Sequence, residues 1–337
     1  MAHRSRDTSP RPSRPRVIVT RRLPGSVEQR MNELFDVVLP EPDEPMDAAT
    51  LAAAVADCDV LVPTITDRID AALIEAAGPR LKLIANFGNG VDHIALPAAR
   101  ARRILVANTP GVLTEDTADM AMALILAVPR RLAEGERVVR SGEWSGWTPC
   151  GMLGHRISGK TLGILGMGRI GQAVARRARG FGLAIHYHNR RRLAPVVEEE
   201  LGAIYLPDVG ALMAQADIVS IHCPLTAETR GMVDAGRLRL LGPAGYLVNI
   251  ARGEIVGQPA LIDALESRAI AGAALDVFDH EPAIDPRLLG CDNALLLPHM
   301  ASATHEAREA QGTKVIANIR AWADGHRPPD HVLEGWI

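Results

Sequence analysis

Short runs of apolar, β-branched residues alternate along the chain with longer stretches in which Ala and Leu recur at helical spacing. Early in the chain Val17–Thr20, Val60–Pro63, Leu81–Ala85 and Ile104–Ala107 read as strands. Later runs follow at Leu162–Leu165, Ala184–Tyr187, Ile218–His222, Tyr246–Asn249, Gly272–Leu275 and Ala294–Leu297. This alternation predicts parallel sheets with helices on both faces. The longest uninterrupted helix candidate is Glu115 to Val128, with Thr114 as N-cap and Pro129 marking its end or a kink.

A faint internal repeat refines the picture. Ala56–Pro63 resembles Ala214–Ser220, and Leu83–Val91 resembles Leu247–Ile255, with similar separations in each half. Two related doubly wound domains would make Asn86–Val91 and Asn249–Gly253 equivalent loops at strand carboxyl ends, where open α/β sheets bind ligands.

The strand Leu162–Leu165 leads directly into Gly166-Met167-Gly168-Arg169-Ile170-Gly171, a G-x-G-x-x-G turn, and Gln172 to Phe181 then reads as a helix. In that context the motif predicts a dinucleotide site. Its glycines permit the tight turn, close approach of a pyrophosphate, and close packing of helix on strand. The helix N-terminus adds N–H groups and positive dipole. The next strand ends in His188-Asn189-Arg190-Arg191-Arg192 rather than in the Asp or Glu that accepts ribose hydroxyls in NAD-selective sites. Arginines there suit a 2′-phosphate, so NADP(H) is the expected cofactor, with NAD(H) usable. A solvated basic loop would carry the same residues.

Bulk properties narrow the class. The chain has 337 residues, 47% hydrophobic and 23% charged, enough for two domains with their own cores. A formal net charge of −3 offers no general attraction to nucleic acid or membrane, and no run approaches the about 18 apolar residues of a membrane span. Cys58, Cys150, Cys223 and Cys291 are widely spaced and suggest neither a disulfide framework nor a metal site, as for a cytoplasmic protein. Residues 1–15, rich in Arg, Ser and Pro without a following apolar segment, read as a disordered leader rather than a targeting peptide.

Three charged residues follow predicted strands: Arg252 after Tyr246–Asn249, Glu281 after Gly272–Leu275, and His299 after Ala294–Leu297. One sheet edge could present them together. An arginine fork can clamp a carboxylate and polarise a neighbouring ketone. A histidine can protonate the oxygen, with a glutamate fixing its tautomer. Each residue alone is equally compatible with a structural role.

Taken together, Gly166–Gly171, His222-Cys223-Pro224-Leu225-Thr226, Asn249–Gly253, Asp276–Pro282 and Pro298–Ser302 resemble the D-isomer-specific 2-hydroxyacid dehydrogenase family, and within it the glyoxylate/hydroxypyruvate reductase branch. The resemblance spans roughly residues 50 to 330. It implies two Rossmann or flavodoxin-like domains with the active-site cleft between them. A discontinuous substrate-binding domain is expected at 16–114 plus 303–337, and a dinucleotide-binding domain at 115–302. It also implies that Arg252, Glu281 and His299 are catalytic. Cofactor contacts are expected from Thr117, Gly166, Met167, Gly168, Arg169, Ile170, Gly171, Asn189, Arg190, Arg191, His222, Cys223, Pro224, Thr229, Ile250, Ala251 and Ser302, and from Asp276 to the nicotinamide carboxamide. Gly88, Asn89, Gly90 and Val91 would bind the substrate carboxylate through backbone N–H groups, although many relatives carry a small apolar residue where Asn89 stands. The segment holding Trp144 and Trp147 would make homodimer contacts.

The implied activity is reduction of glyoxylate and hydroxypyruvate to glycolate and D-glycerate. D-3-phosphoglycerate or D-lactate dehydrogenase shares these motifs and stands as an alternative. So does a non-catalytic dinucleotide-sensing corepressor or scaffold, since such proteins can retain the same triad. Formate dehydrogenase relatives usually carry Gln at the position of Glu281.

Overall fold

The structure is a computed structural model that describes residues 14–333. The expected leader therefore lies outside the described residues, apart from Arg14 and Pro15. The described residues divide into two compact units, one formed by 14–112 with 305–333 and the other by Leu113–Thr304.

The first unit is built on five parallel strands: β1 (Arg16–Val19), β2 (Asp36–Val38), β3 (Val60–Val62), β4 (Leu83–Ala85) and β5 (Leu105–Ala107). They lie in the order β2-β1-β3-β4-β5. Separate apolar clusters cover the two faces, one including Leu61, Ile84 and Val106, the other Val60, Val62 and Leu83. The closing helix His305–Ala323 adds Val315 and Ile319 to the second cluster.

The second unit holds seven parallel strands: β6 (Thr161–Leu165), β7 (Ala184–His188), β8 (Ala203–Tyr205), β9 (Ile218–Ile221), β10 (Tyr246–Asn249), β11 (Gly272–Leu275) and β12 (Ala294–Leu296). Their order is β12-β11-β10-β9-β6-β7-β8. Both sheets are doubly wound, with crevices where the chain reverses its direction of strand addition, between β1 and β3 and between β6 and β9. Counting from these reversals, β3 matches β9 and β4 matches β10, so the two halves of the sequence repeat hold equivalent places.

Central strands are buried on both faces, and each fully enclosed Leu or Ile, such as Leu162 or Ile164, contributes roughly 1.5–3 kcal/mol. The helix Thr114–Ala127 packs Ala118, Ala121 and Ile125 into the same cluster as Ala173, Val174 and Ala178 of the helix Arg169–Gly180.

Two features differ from the sequence reading. Strands β2 and β8 are not among the strands read from the sequence; each is a three-residue edge strand with exposed positions. The N-cap of the long helix is Leu113, not Thr114, and no side chain caps it. Glu115 and Asp116 in the first turn complement the helix dipole instead. The helix ends at Ala127, just before Pro129. Among the described residues no helix is long and apolar enough to cross a membrane, no group of His, Cys, Asp and Glu is arranged to hold a metal, and the four cysteines are free.

Candidate active site

β6 ends at Leu165, and Gly166, at φ +97°, turns the chain into the helix Arg169–Gly180, whose N-cap is Gly168. The turn has no room on two sides. A Cβ on Gly166 would lie 2.4 Å from the Cys223 nitrogen, and one on Gly171 would lie 2.4 Å from the Gly166 carbonyl oxygen. On the third side it is open: a Cβ on Gly168 meets nothing within 4 Å, and Gly168 and Arg169 are exposed. Open backbone beside the unsatisfied first-turn N–H groups of a helix fits a pyrophosphate.

The end of β7 is tied to this turn. The Gly166 N–H donates to the His188 carbonyl at 3.0 Å, and the Met167 N–H donates to Asn189 Oδ1 at 2.6 Å. The following arginines have different fates. Arg192 forks onto Glu198, with Nη2 2.7 Å from Oε2, and lies over the Tyr205 ring at 5.7 Å. Glu198 also accepts the Tyr187 hydroxyl at 2.5 Å, so Arg192 is committed to the fold. Arg190 and Arg191 are exposed and form no ion pair among the described residues. The Thr226 hydroxyl and, more weakly, the charge of Arg190 hold the Glu228 carboxyl below its ordinary range.

Across the crevice, the loop after β9 presents His222, Cys223, Pro224 and Thr229. Burial presses the His222 imidazole down to about 3, with Nε2 at 2.8 Å from Ser220 Oγ and Nδ1 enclosed and unpartnered. Burial pushes the Cys223 thiol up to about 12, so it is no nucleophile at neutral pH. Thr229 Oγ1 donates to the Pro224 carbonyl at 2.7 Å and accepts the Thr226 N–H at 2.8 Å, closing the turn.

β10, β11 and β12 are neighbours, and their carboxyl ends carry Arg252, Glu281 and His299 in turn. His299 Nδ1 lies 2.8 Å from Glu281 Oε2, while Glu281 Oε1 accepts the Phe278 N–H at 2.9 Å. Burial alone would raise the Glu281 carboxyl. The hydrogen bond and charge of His299, the Phe278 N–H and the charge of Arg252 outweigh it and hold the group below its ordinary range. His299 sits at φ +52° in a loop braced by Asp276. The Asp276 oxygens accept the Met300 and Ala301 N–H groups, each at 2.7 Å, and burial raises its carboxyl despite them. Asn249 organises the Arg252 loop in the same manner, donating to the Arg252 carbonyl at 2.8 Å and accepting the Ala251 N–H at 3.1 Å. Ile250 and Thr117 are buried, and Ala251, Ile170 and Ser302 are partly exposed.

Residues 122–301 match the D-isomer specific 2-hydroxyacid dehydrogenase, NAD binding domain. The chain belongs to that family. The glyoxylate reductase of Thermococcus litoralis is 45% identical over 323 residues, covering 95% of this chain and 97% of that protein. The glyoxylate reductase of Korarchaeum cryptofilum is 46% identical over 321 residues, covering 95% and 96%. Among solved structures, the NADPH-dependent glyoxylate/hydroxypyruvate reductase of Sinorhizobium meliloti in complex with NADP and malonate superposes with a TM-score of 0.85 at 38% identity, covering 96% and 98%. As a member of this family the chain is an oxidoreductase that binds a nicotinamide dinucleotide.

In this 2-hydroxyacid dehydrogenase the loop Gly88–Val91 belongs to the other unit, directly after β4. The buried Asn86 side chain donates to the Gly88 and Gly90 carbonyls at 3.1 and 2.8 Å, and the buried Asn108 side chain donates to the Asn89 carbonyl at 2.7 Å. Sequence reasoning did not single out Asn86, Asn108, Ser220 or the Arg192–Glu198 pair for these roles. Only the placement of Asn86 and Asn249 at matching repeat positions hinted at one of them.

Proposed function

We propose that the chain is an NADP(H)-preferring reductase of small 2-oxo acids that converts glyoxylate to glycolate and hydroxypyruvate to D-glycerate. The reading is carried by the His299–Glu281 contact of 2.8 Å, at strand ends next to that of Arg252 and in the same sheet as the dinucleotide turn. The relatives named above, from Thermococcus litoralis and Sinorhizobium meliloti, support the substrate class.

Bound at the glycine turn, the nicotinamide dinucleotide supplies the hydride. Arg252 holds the substrate carboxylate and polarises the carbonyl. With Nδ1 committed to Glu281, the Nε2 of His299 hands a proton to the substrate oxygen as negative charge develops there. The carboxylate of Glu281 orients the ring and fixes which nitrogen faces the substrate. The loop Gly88–Val91 binds the substrate carboxylate through its N–H groups. NADP(H) is preferred because Asn189 stands where an acid would repel a 2′-phosphate, with Arg190 and Arg191 exposed beside it.

The reductase acts as a homodimer. Leu132, Val139, Trp144, Trp147 and Leu153 are all exposed, Trp147 at 82%, along one helix and the segment after it. Large apolar side chains exposed along this segment suit a second copy of the chain. Sedimentation of the Trp144→Ser/Trp147→Ser variant at low concentration should show a shift toward monomer.

The central test is the loss of NADPH absorbance with glyoxylate, hydroxypyruvate, pyruvate and phenylpyruvate, each repeated with NADH. Turnover of glyoxylate and hydroxypyruvate, faster with NADPH, is expected. Silence across the whole panel sinks the enzymatic reading in favour of a dinucleotide-sensing role.

A further inference from the structure

The loop after β4 is polarised. Every carbonyl from Gly88 to Val91 is occupied. Gly88 accepts from Thr109 N and Asn86 Nδ2, both at 3.1 Å, and Gly90 accepts from Asn86 Nδ2 at 2.8 Å. Asn89 accepts from Asn108 Nδ2 at 2.7 Å, and Val91 from Ile94 N at 3.0 Å. None of the four N–H groups of the same residues donates to any acceptor among the described residues. Successive free N–H groups on backbone whose carbonyls are drawn away form a concavity for an anion.

Two asparagines create this polarity. Asn86 is fully buried, and its Oδ1 is met by His93 Nε2 at 3.1 Å, which leaves Nδ2 to hold two carbonyls at once. Asn108 is 2% exposed and anchored through its backbone: its N–H donates to Asp330 at 3.2 Å and its carbonyl accepts Asn318 Nδ2 at 3.2 Å. Its own Oδ1 is buried without a partner, an unfavourable arrangement that packing alone does not call for. The amide cannot be turned over, because Oδ1 would then face the Asn89 carbonyl.

We infer that Asn86 and Asn108 are positioning residues that hold the carbonyls of Gly88, Asn89 and Gly90 inward, so that the loop N–H groups stay aimed at the substrate carboxylate. The inference rests on the reading of this loop as the carboxylate site. Neither side chain touches substrate; both act through the loop.

The test measures glyoxylate KM, kcat and inhibition by oxamate, a carboxylate probe, on the full chain, with NADPH affinity and thermal melts alongside. Asn108→Ala should raise glyoxylate KM and oxamate Ki together by about tenfold while changing NADPH Kd little. Asn86→Ser, which releases the other two carbonyls, gives the same reading independently if Asn108→Ala melts the unit. Asn89→Pro deletes one loop N–H directly and tests the carboxylate site itself. If Asn89→Pro raises Ki but both asparagine variants leave it within twofold of wild type, the positioning role is wrong and the loop still binds the carboxylate. If Asn89→Pro leaves Ki unchanged, the carboxylate reading fails and the inference with it.

Discussion

The backbone N–H of Met167 donates to Asn189 Oδ1 across 2.6 Å, linking the glycine turn after β6 to the end of β7. The side chain at the end of β7 therefore braces the turn and brings no negative charge. Repulsion of a 2′-phosphate is absent, and Arg190 and Arg191 remain exposed close by. We expect Arg190→Ala/Arg191→Ala to raise the KM for NADPH by about ten- to a hundredfold, as loss of charge-assisted phosphate contacts implies. The KM for NADH should move little. An equal loss for both cofactors would contradict the phosphate assignment.

Gly168 and Gly171 separate binding from folding. Gly168→Ala meets nothing in the protein, so its melting temperature should match wild type while dinucleotide affinity falls, because the added methyl stands where pyrophosphate must approach. Gly171→Ala forces a methyl within 2.4 Å of the Gly166 carbonyl and should lower the melting temperature as well. Thermal melts paired with cofactor fluorescence titration distinguish the two. Equal destabilisation by both variants would remove the reason for keeping the second glycine.

Turnover should depend on His299 far more than cofactor binding does. His299→Ala is expected to lose about two to four orders of magnitude in kcat, the usual contribution of a positioned acid, with NADPH affinity intact. Near-normal kcat would take His299 out of the mechanism.

Glu281→Gln keeps the shape of the contact at His299 Nδ1 and removes its negative charge. The kcat for glyoxylate should fall by about one to two orders of magnitude, because a charge-assisted hydrogen bond no longer orients the ring, while NADPH affinity stays intact. A kcat equal to that of wild type would show that Glu281 acts only in packing.

His222 gives stability a pH dependence of its own. Burial lowers its imidazole in the folded chain to about 3, below the value of about 6.5 expected when unfolded. The unfolded chain then binds more protons between those values, so the contribution is complete above about pH 6.5 and is lost as pH falls toward 3. Ser220 Oγ, at 2.8 Å from Nε2, is its only hydrogen-bonding partner among the described residues. The drop in melting temperature from pH 7 to pH 5 should be smaller in His222→Asn than in wild type. An unchanged slope would place the acid sensitivity elsewhere, for example at His186, which burial also lowers.

Much of this molecule is written locally in the chain. Apolar runs and their spacing were enough to anticipate most strands, the parallel sheets and the strand–turn–helix around Gly166, because strand burial and turn geometry depend on neighbours a few residues apart. Arg252, Glu281 and His299 could be picked out as candidates because each lies in the loop that follows a strand, and parallel strands end on one edge. What the chain could not disclose is which partner a polar side chain chooses across large sequence separations. Arg190, Arg191 and Arg192 look alike in a row, yet Glu198 and Tyr205 absorb only the last. Nothing in the sequence around Asp276 shows that its two oxygens accept the Met300 and Ala301 N–H groups of the His299 loop. Asn86 and Asn108 read as ordinary strand-end residues, 22 positions apart, and only folding brings their amides onto one loop from below. Edge strands β2 and β8 escaped notice because each is only three residues long, too short a run to stand out, and only pairing to a neighbouring strand marks it as part of a sheet.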